Sequence, residues 1–296
     1  MKIGIDLGGT KTEAILIDND GKEFFRKRIK TEKNYQGTIK GIISLVKDFE
    51  SEFGNCSSIG IGMPGAVSLG SAFVKNANSI WLNGKPLKKD LELELNRNIN
   101  LENDANCFAL SEAIDGVGKN ANVVFGVIIG TGVGGGVVVN KKVLQGRNKI
   151  CGEWGHIALP NRTDDEKKYV KNCYCGKNGC IETYLSGPGF SSGFNLRYSK
   201  DYDAHEIIKG YKQSDENCRE ALNRYVDHLA RGLSVVCNIL DPDIIVLGGG
   251  MSNIDYIYEN IDEVIKKYIF SDIFYTKIKK NVHGDSGGVR GAAWLS

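Results

Sequence analysis

Four residues able to ligate a metal stand near one another in the chain: His156, then Cys173, Cys175 and Cys180 within a stretch of eight. Three thiolates and one imidazole complete a tetrahedral Zn²⁺ set and leave no position for water, so an ion held there is structural rather than catalytic. Buried free thiols beside a core histidine are the alternative, and a disulfide is a weaker one. Three of the eight cysteines crowd together in a long chain that opens without a secretory signal, which favours metal. Glu153 lies three residues before the histidine and Glu182 two residues after the last cysteine. Folding of such a loop would position both carboxylates, and each can accept hydrogen bonds from neighbouring hydroxyls.

Glycine supplies the second chemistry. The chain holds 37 glycines in 296 residues but only 5 prolines, a glycine excess of nearly twofold over ordinary usage that is not Pro-Gly low complexity. The glycines follow apolar runs: Ile3 to Leu7 before Gly8-Gly9, Val123 to Ile129 before Gly130-Thr131-Gly132, and Ile244 to Leu247 before Gly248-Gly249-Gly250. Backbone without Cβ can approach a phosphate and aim N–H groups at it; a tight structural turn is the plainer reading. Asp6-Leu7-Gly8-Gly9-Thr10-Lys11-Thr12 adds hydroxyls, a cation and a carboxylate able to hold hydrated Mg²⁺.

Two competing nucleotide motifs fail on context. Gly60-x-Gly62-x-x-Gly65 and Gly130-x-Gly132-x-x-Gly135 match the dinucleotide fingerprint, but that fingerprint needs a helix opening inside the glycines. Pro64 interrupts the first, and β-branched Val137-Val138-Val139 follows the second. Gly118-Lys119 is followed by Asn120 rather than Ser or Thr and lacks a preceding strand, so it is no Walker loop.

The elements that must position these residues alternate. Glu13 to Ile17 reads as a second strand and Glu23 to Ile29 as a third, so the chain opens as a meander around Asp20-Gly21. The second half restates it, with Val123 to Ile129, a turn from Gly130 to Gly135, and a strand from Gly136 to Val139. Ile39, Ile42, Ile43, Val46 and Phe49 share one helical face, as do Ile254, Ile257, Ile261, Val264 and Ile265. Glu102-Asn103-Asp104 joins an extended segment, Asn98 to Leu101, to a helix from Ala105 to Ala113, so Asp104 reads first as a helix N-cap. Residues Gly116 to Asn122 break that helix and mark a domain boundary.

Asp6-x-Gly8-Gly9-Thr10-Lys11, Gly130-Thr131-Gly132-Val133-Gly134-Gly135-Gly136 and Gly152-Glu153-Trp154-Gly155-His156 with its cysteine cluster together resemble the ROK family of sugar kinases and sugar-sensing repressors. The resemblance spans essentially the whole chain. It implies an α/β protein of the actin/hexokinase-like (ribonuclease H-like) ATPase fold, with two α/β domains around a cleft. Residues 1–117 with 284–296 would form the smaller domain and 118–283 the larger. The terminal segment would cross back onto the first domain, so the domains would close as a hinge.

The family's zinc ligands fall on His156, Cys173, Cys175 and Cys180. Its sugar contacts fall on Asn103, Asp104, Glu153, His156 and Glu182, and its base on Asp104, which would take the proton of the sugar hydroxyl attacking the γ-phosphate. A helix N-terminus favours the ionised form of a carboxylate and weakens it as a base, which a loose phosphoryl-transfer transition state tolerates. Nucleotide contacts fall on Asp6, Gly8, Gly9, Thr10, Lys11, Gly130, Thr131, Gly132, Gly248, Gly249 and Gly250. ATP, Mg²⁺ and structural Zn²⁺ are the implied cofactors, and a homodimer is the family's common state. Asn76-Ala77-Asn78-Ser79-Ile80-Trp81-Leu82-Asn83-Gly84 resembles the manno/fructokinase branch, with Asn78 as a sugar ligand. The expected acceptor is therefore the 6-hydroxyl of fructose, with mannose beside it; N-acetylglucosamine or glucose is the alternative.

Charge and composition bound the class. Hydrophobic residues are 41% and charged residues 25%, with 38 basic against 36 acidic side chains and a net charge of +2, so the basic field of a nucleic-acid binder is missing. A repressor of this family is disfavoured further because the phosphate motif begins at Asp6, leaving no room for a DNA-binding domain. An actin-like or chaperone ATPase would need neither the zinc loop nor its carboxylates. No run approaches the roughly 18 apolar residues of a membrane span, and the expected location is the cytoplasm.

Overall fold

The computed structural model describes residues 1–295. Ser296, the last residue of the expected segment 284–296, lies outside them. The strands are β1 (Lys2–Leu7), β2 (Lys11–Ile17), β3 (Glu23–Lys30), β4 (Ser58–Met63), β5 (Ala66–Val67), β6 (Val74–Lys75), β7 (Asn100–Asn103), β8 (Val123–Ile129), β9 (Val133–Val139), β10 (Lys142–Val143), β11 (Ile244–Gly248) and β12 (Lys277–Lys280). The helices are α1 (Tyr35–Phe53), α2 (Leu87–Leu95), α3 (Asp104–Ile114), α4 (Asp164–Lys168), α5 (Glu182–Leu185), α6 (Gly187–Tyr198), α7 (Ala204–Lys212), α8 (Glu216–Leu240), α9 (Asp255–Ile265) and α10 (Gly287–Ala293).

Two five-stranded sheets have matching orders, β3-β2-β1-β4-β7 and β10-β9-β8-β11-β12. In the first, β1 pairs antiparallel with β2 and parallel with β4, which pairs parallel with β7. In the second, β8, β11 and β12 run parallel. The carboxyl ends of three parallel strands therefore share one edge in each sheet, the edge where ligands gather in open α/β sheets.

Contacts divide the chain into a unit of residues 1–120, 136–151 and 282–295 and a second unit of 121–135 and 152–281. In sequence, residues 118–283 read as one domain and Gly130 to Gly135 as a turn. Instead the turn ends at Gly132, and Gly134 to Gly136 lie inside β9. Close packing is the reason: a Cβ on Gly135 would stand 2.9 Å from the Phe125 and Trp154 rings, and one on Gly136 would stand 2.7 Å from the Ala105 carbonyl on α3. Glycine in a strand interior marks such an approach.

Local chemistry sets the helices. Asn34 caps α1 by accepting the Gly37 N–H at 2.8 Å, and Gly54, at φ 80°, ends it. Between these caps Ile39, Ile42, Leu45, Val46 and Phe49 are buried with Ile3, Ile5, Ile59 and Ile61 of the first sheet. The terminal α10 is built of small residues because it lies at backbone distance from its neighbours. A Cβ on Gly60 of β4 would come within 1.8 Å of the Ala292 carbonyl, and one on Gly291 within 1.6 Å of the Cys107 carbonyl. No helix among the described residues is long and apolar enough to cross a membrane.

Candidate active site

In the first unit the Gly8-Gly9-Thr10 turn joins β1 to β2 and is closed by the Gly8 N–H donating to the Lys11 carbonyl at 3.1 Å. Thr31 fixes it from the end of β3: its hydroxyl donates to the Gly8 carbonyl at 2.8 Å and its N–H donates to the Thr10 carbonyl at 3.0 Å. Nothing in the sequence marked Thr31. Glu13, opposite Asp6 in the β1–β2 register, is 3% exposed and takes Arg26 at 2.6 Å and Arg28 at 2.8 Å. A lone acid in an apolar strand is the sequence signal that points to Glu13.

Asp6 lies one residue before the end of the neighbouring strand, β1. Its carboxyl is pushed up to about 7, chiefly by burial and then by the charges of Asp104 and Glu13, against the opposing pull of Lys11 and Arg28. A carboxylate in that field is short of positive charge, so the donor set fits Mg²⁺, which binds through one or two carboxylates plus phosphate oxygens. Asp104 reaches this neighbourhood because β7 is aligned through β4: Met63 pairs with Asn103, and Gly62 pairs with Asp6.

The N-cap reading belongs to Asn103, not Asp104. The Asn103 side chain accepts from the Ala105 and Asn106 N–H groups and donates to the Gly65 carbonyl at 3.0 Å, so one amide caps α3 and holds the loop after β4. Asp104 is the first helical residue, its Oδ1 taking the Ala105 N–H at 2.8 Å. Glu102 braces the junction, accepting from the Asn103 N–H at 2.8 Å, the Asn106 side chain at 3.0 Å and the Gln145 side chain. Asn78 is exposed on the loop leading to Trp81.

In the second unit the two glycine turns follow adjacent parallel strands, since Ile128 of β8 pairs with Gly248 of β11. The Gly130 N–H donates to the Gly132 carbonyl at 2.9 Å, and the Gly130 carbonyl accepts the Gly187 N–H at the start of α6 at 2.8 Å. Gly249 has φ 82°, and a Cβ there would meet the Ile129 carbonyl at 2.5 Å, so only glycine fits. Gly130, Thr131 and Gly132 are thus brought beside Gly248, Gly249 and Gly250. Glu182 Oε2 accepts the Val133 N–H at 2.9 Å, tying α5 to the first of these turns. Glu153 is exposed, and the buried Trp154 beside it donates to the Gly134 carbonyl at 3.0 Å.

His156, Cys173, Cys175 and Cys180 converge, their ligand atoms all within 4.8 Å of one another. Cys173 Sγ lies 3.6 Å from His156 Nδ1, and Cys175 Sγ lies 3.6 Å from Cys180 Sγ. A tetrahedron around Zn²⁺, with Zn–S about 2.3 Å and Zn–N about 2.0 Å, has edges of about 3.8 and 3.5 Å, so these two separations fit the edges of such a shell. A disulfide needs about 2.05 Å, and all eight cysteines are free. Burial pushes the Cys173 and Cys180 thiols up, so metal entry must displace protons. Tyr174 Oη sits 3.0 Å from His156 Nε2, which leaves Nδ1 for the metal.

The chain matches the ROK family model over residues 2–296. It is 39% identical over 299 residues to a protein of Escherichia coli O127:H6 named N-acetyl-D-glucosamine kinase, the alignment covering 100% of this chain and 99% of the relative. Its fold is similar to that of a ROK hexokinase from Thermus thermophilus, with TM-score 0.88, 26% identity and coverage of 100% and 98%. It is also similar to a ROK family glucokinase from Streptomyces griseus in complex with glucose and AMPPNP, with TM-score 0.78, 25% identity and the same coverage. With its actin/hexokinase-like α/β architecture, the chain belongs to the ROK family.

Proposed function

We propose that the protein is an ATP-dependent hexose kinase that transfers the γ-phosphoryl group to the 6-hydroxyl of fructose, and of mannose beside it. The observation that carries the kinase reading is the placement of Asp104 at the carboxyl end of β7, on the sheet edge that also ends in Asp6 and the Gly8-Gly9 turn, with the Asp104 charge felt at Asp6. Asp104 takes the proton from O6 as that oxygen bonds to the γ-phosphorus. The bond from phosphorus to the β–γ bridging oxygen breaks, and ADP departs with that electron pair. Positioning and charge neutralisation carry most of the rate in such a transfer.

Asp6, Gly8, Gly9, Thr10 and Lys11, with Gly130 to Gly132 and Gly248 to Gly250, are assigned to the nucleotide. Asn78, Asn103, Glu153, His156 and Glu182 are assigned to sugar hydroxyls. Mg²⁺, bound through Asp6 and phosphate oxygens, would neutralise charge on the phosphates. Zn²⁺ at His156, Cys173, Cys175 and Cys180 would stabilise the loop that carries Glu153 and Glu182. A cytoplasmic homodimer is the expected state.

The fructose assignment rests on the Asn76 to Gly84 motif. Hexoses differ by one or two hydroxyls, so the residues of the sugar loop bear on acceptor choice more directly than identity over the whole chain. N-acetylglucosamine is the second reading, and the name carried by the 39% identical relative favours it. An ADP-release assay with MgATP and fructose, mannose, glucose or N-acetylglucosamine separates the two. The highest kcat/KM is expected with fructose or mannose; N-acetylglucosamine turned over best transfers the assignment to it, and no turnover with any sugar removes the kinase reading.

A further inference from the structure

Ser79 stands at the N-cap of the short 3₁₀ turn Ile80–Leu82, where a serine hydroxyl ordinarily accepts a backbone N–H. Its side chain makes no such bond. The residue is 2% exposed, and its Oγ has no hydrogen-bond partner. A buried hydroxyl left unpaired costs folding free energy, and native proteins keep such groups where something other than stability requires them.

The position of this hydroxyl is held from both sides. Asn83 bridges the loop, accepting the Ala77 N–H and donating to the Ala77 carbonyl, both at 2.9 Å. Trp81 Nε1 donates to Thr38 Oγ1 at 3.1 Å, and Leu82 is fully buried. The Ser79 carbonyl is occupied by the Leu82 N–H at 3.0 Å. The hydroxyl looks onto the phosphate turn: a Cβ on Gly9 would stand 3.3 Å from Ser79 Oγ, within the same unit of the protein.

We propose that Ser79 is a phosphoryl-binding residue whose hydroxyl donates to a γ-phosphate oxygen of ATP at the Gly8-Gly9 turn. The assignment rests on the kinase reading above and adds a donor from outside the glycine motif. During transfer the charge spreads over the three equatorial phosphoryl oxygens, and a fixed donor aimed at one of them lowers the barrier without reorganising. The hydroxyl's missing partner in the free protein is then the substrate.

Ser79→Ala tests this with the full-length protein. Because the hydroxyl has no protein partner, the variant is expected to keep or raise Tm. Its kcat falls roughly 10–100-fold, at or below what one lost transition-state donor costs, while the sugar KM stays within about 2-fold, a uniform-binding term left untouched. Calorimetry in Mg²⁺ should show weaker binding of AMPPNP and unchanged binding of ADP, which lacks the γ-phosphate. A raised sugar KM with unchanged kcat and AMPPNP affinity assigns the hydroxyl to the sugar and overturns the proposal. So does a lowered Tm with unchanged kinetics, which makes it structural. If the wild type phosphorylates none of the sugars, the kinase reading fails by itself, and the AMPPNP-against-ADP comparison still decides what Ser79 binds.

Discussion

Glu182 accepts the Val133 backbone N–H at 2.9 Å through one carboxylate oxygen while the other lies 4.0 Å from the Cys173 thiol. One side chain thereby joins the cluster of His156, Cys173, Cys175 and Cys180 to the Gly130 to Gly132 turn. Stripping the metal with a chelator should lower Tm and weaken ADP binding in step with zinc released. Glu182→Ala leaves the Val133 N–H unpaired and should cost about 1–3 kcal/mol in chemical denaturation, whereas Glu182→Gln keeps an acceptor and most of that stability. Zinc-free protein with unchanged Tm and ADP affinity would show that the two sites are uncoupled.

Asp104→Asn should lower kcat by about 10²–10⁴-fold, the usual contribution of a positioned base, with sugar binding still measurable by calorimetry. Helix α3 should form normally, because its cap is Asn103. Turnover near the wild-type value would end the assignment of Asp104 as base.

Asp6 should make the apoprotein less stable at alkaline pH. Its folded pKa, about 7, lies above the ordinary 3.8. The stability tied to its protonated form is therefore complete below 3.8 and lost as pH rises through about 7. Apo Asp6→Asn should melt roughly 2–4 °C higher than wild type at pH 8, an advantage that shrinks as pH falls toward 4. The same variant should lose the Tm increase that MgATP gives the wild type. Scanning calorimetry across pH, with and without MgATP, reads both effects.

Glu166 has the opposite sign. Burial pushes its carboxyl up, but hydrogen bonds from His228, Arg231 and the Thr163 N–H outweigh that and hold it well below the usual range. His228 lies at 2.8 Å, and Arg231, only 4% exposed, is also held by Asp227 at 2.9 Å. Stability from ionised Glu166 is present above the ordinary 4.5 and lost progressively as pH falls below it toward the lowered folded pKa. Glu166→Gln should melt lower than wild type at pH 7 and show a shallower loss of Tm between pH 5 and 3. Parallel Tm profiles for the two proteins would rule out this role.

Much of the candidate site was legible because its chemistry is local. Gly8-Gly9, Gly248-Gly249-Gly250 and the spaced cysteines are short segments whose residue types already limit what the backbone and side chains can do. The helix of Ile39 to Phe49 and the opening meander followed from periodicity for the same reason. Less was legible where a glycine had two possible causes. Gly134 and Gly135 read as a turn, yet they are strand residues, and Gly135 lacks a side chain so that Trp154 and Phe125 can approach.

The amino-acid sequence by itself determined the family resemblance and the candidate metal-ligand set, because each depends on residues a few positions apart. Only the tertiary structure decided which polar groups also hold protein partners. Asn103 serves as cap and clamp, Glu182 holds Val133, Thr31 locks the Gly8-Gly9 turn, and Ser79 keeps an unpaired hydroxyl beside Gly9. Hydrogen bonds are short and directional, so their pairing over long sequence separations exists only once strand register and loop packing have brought the atoms within reach.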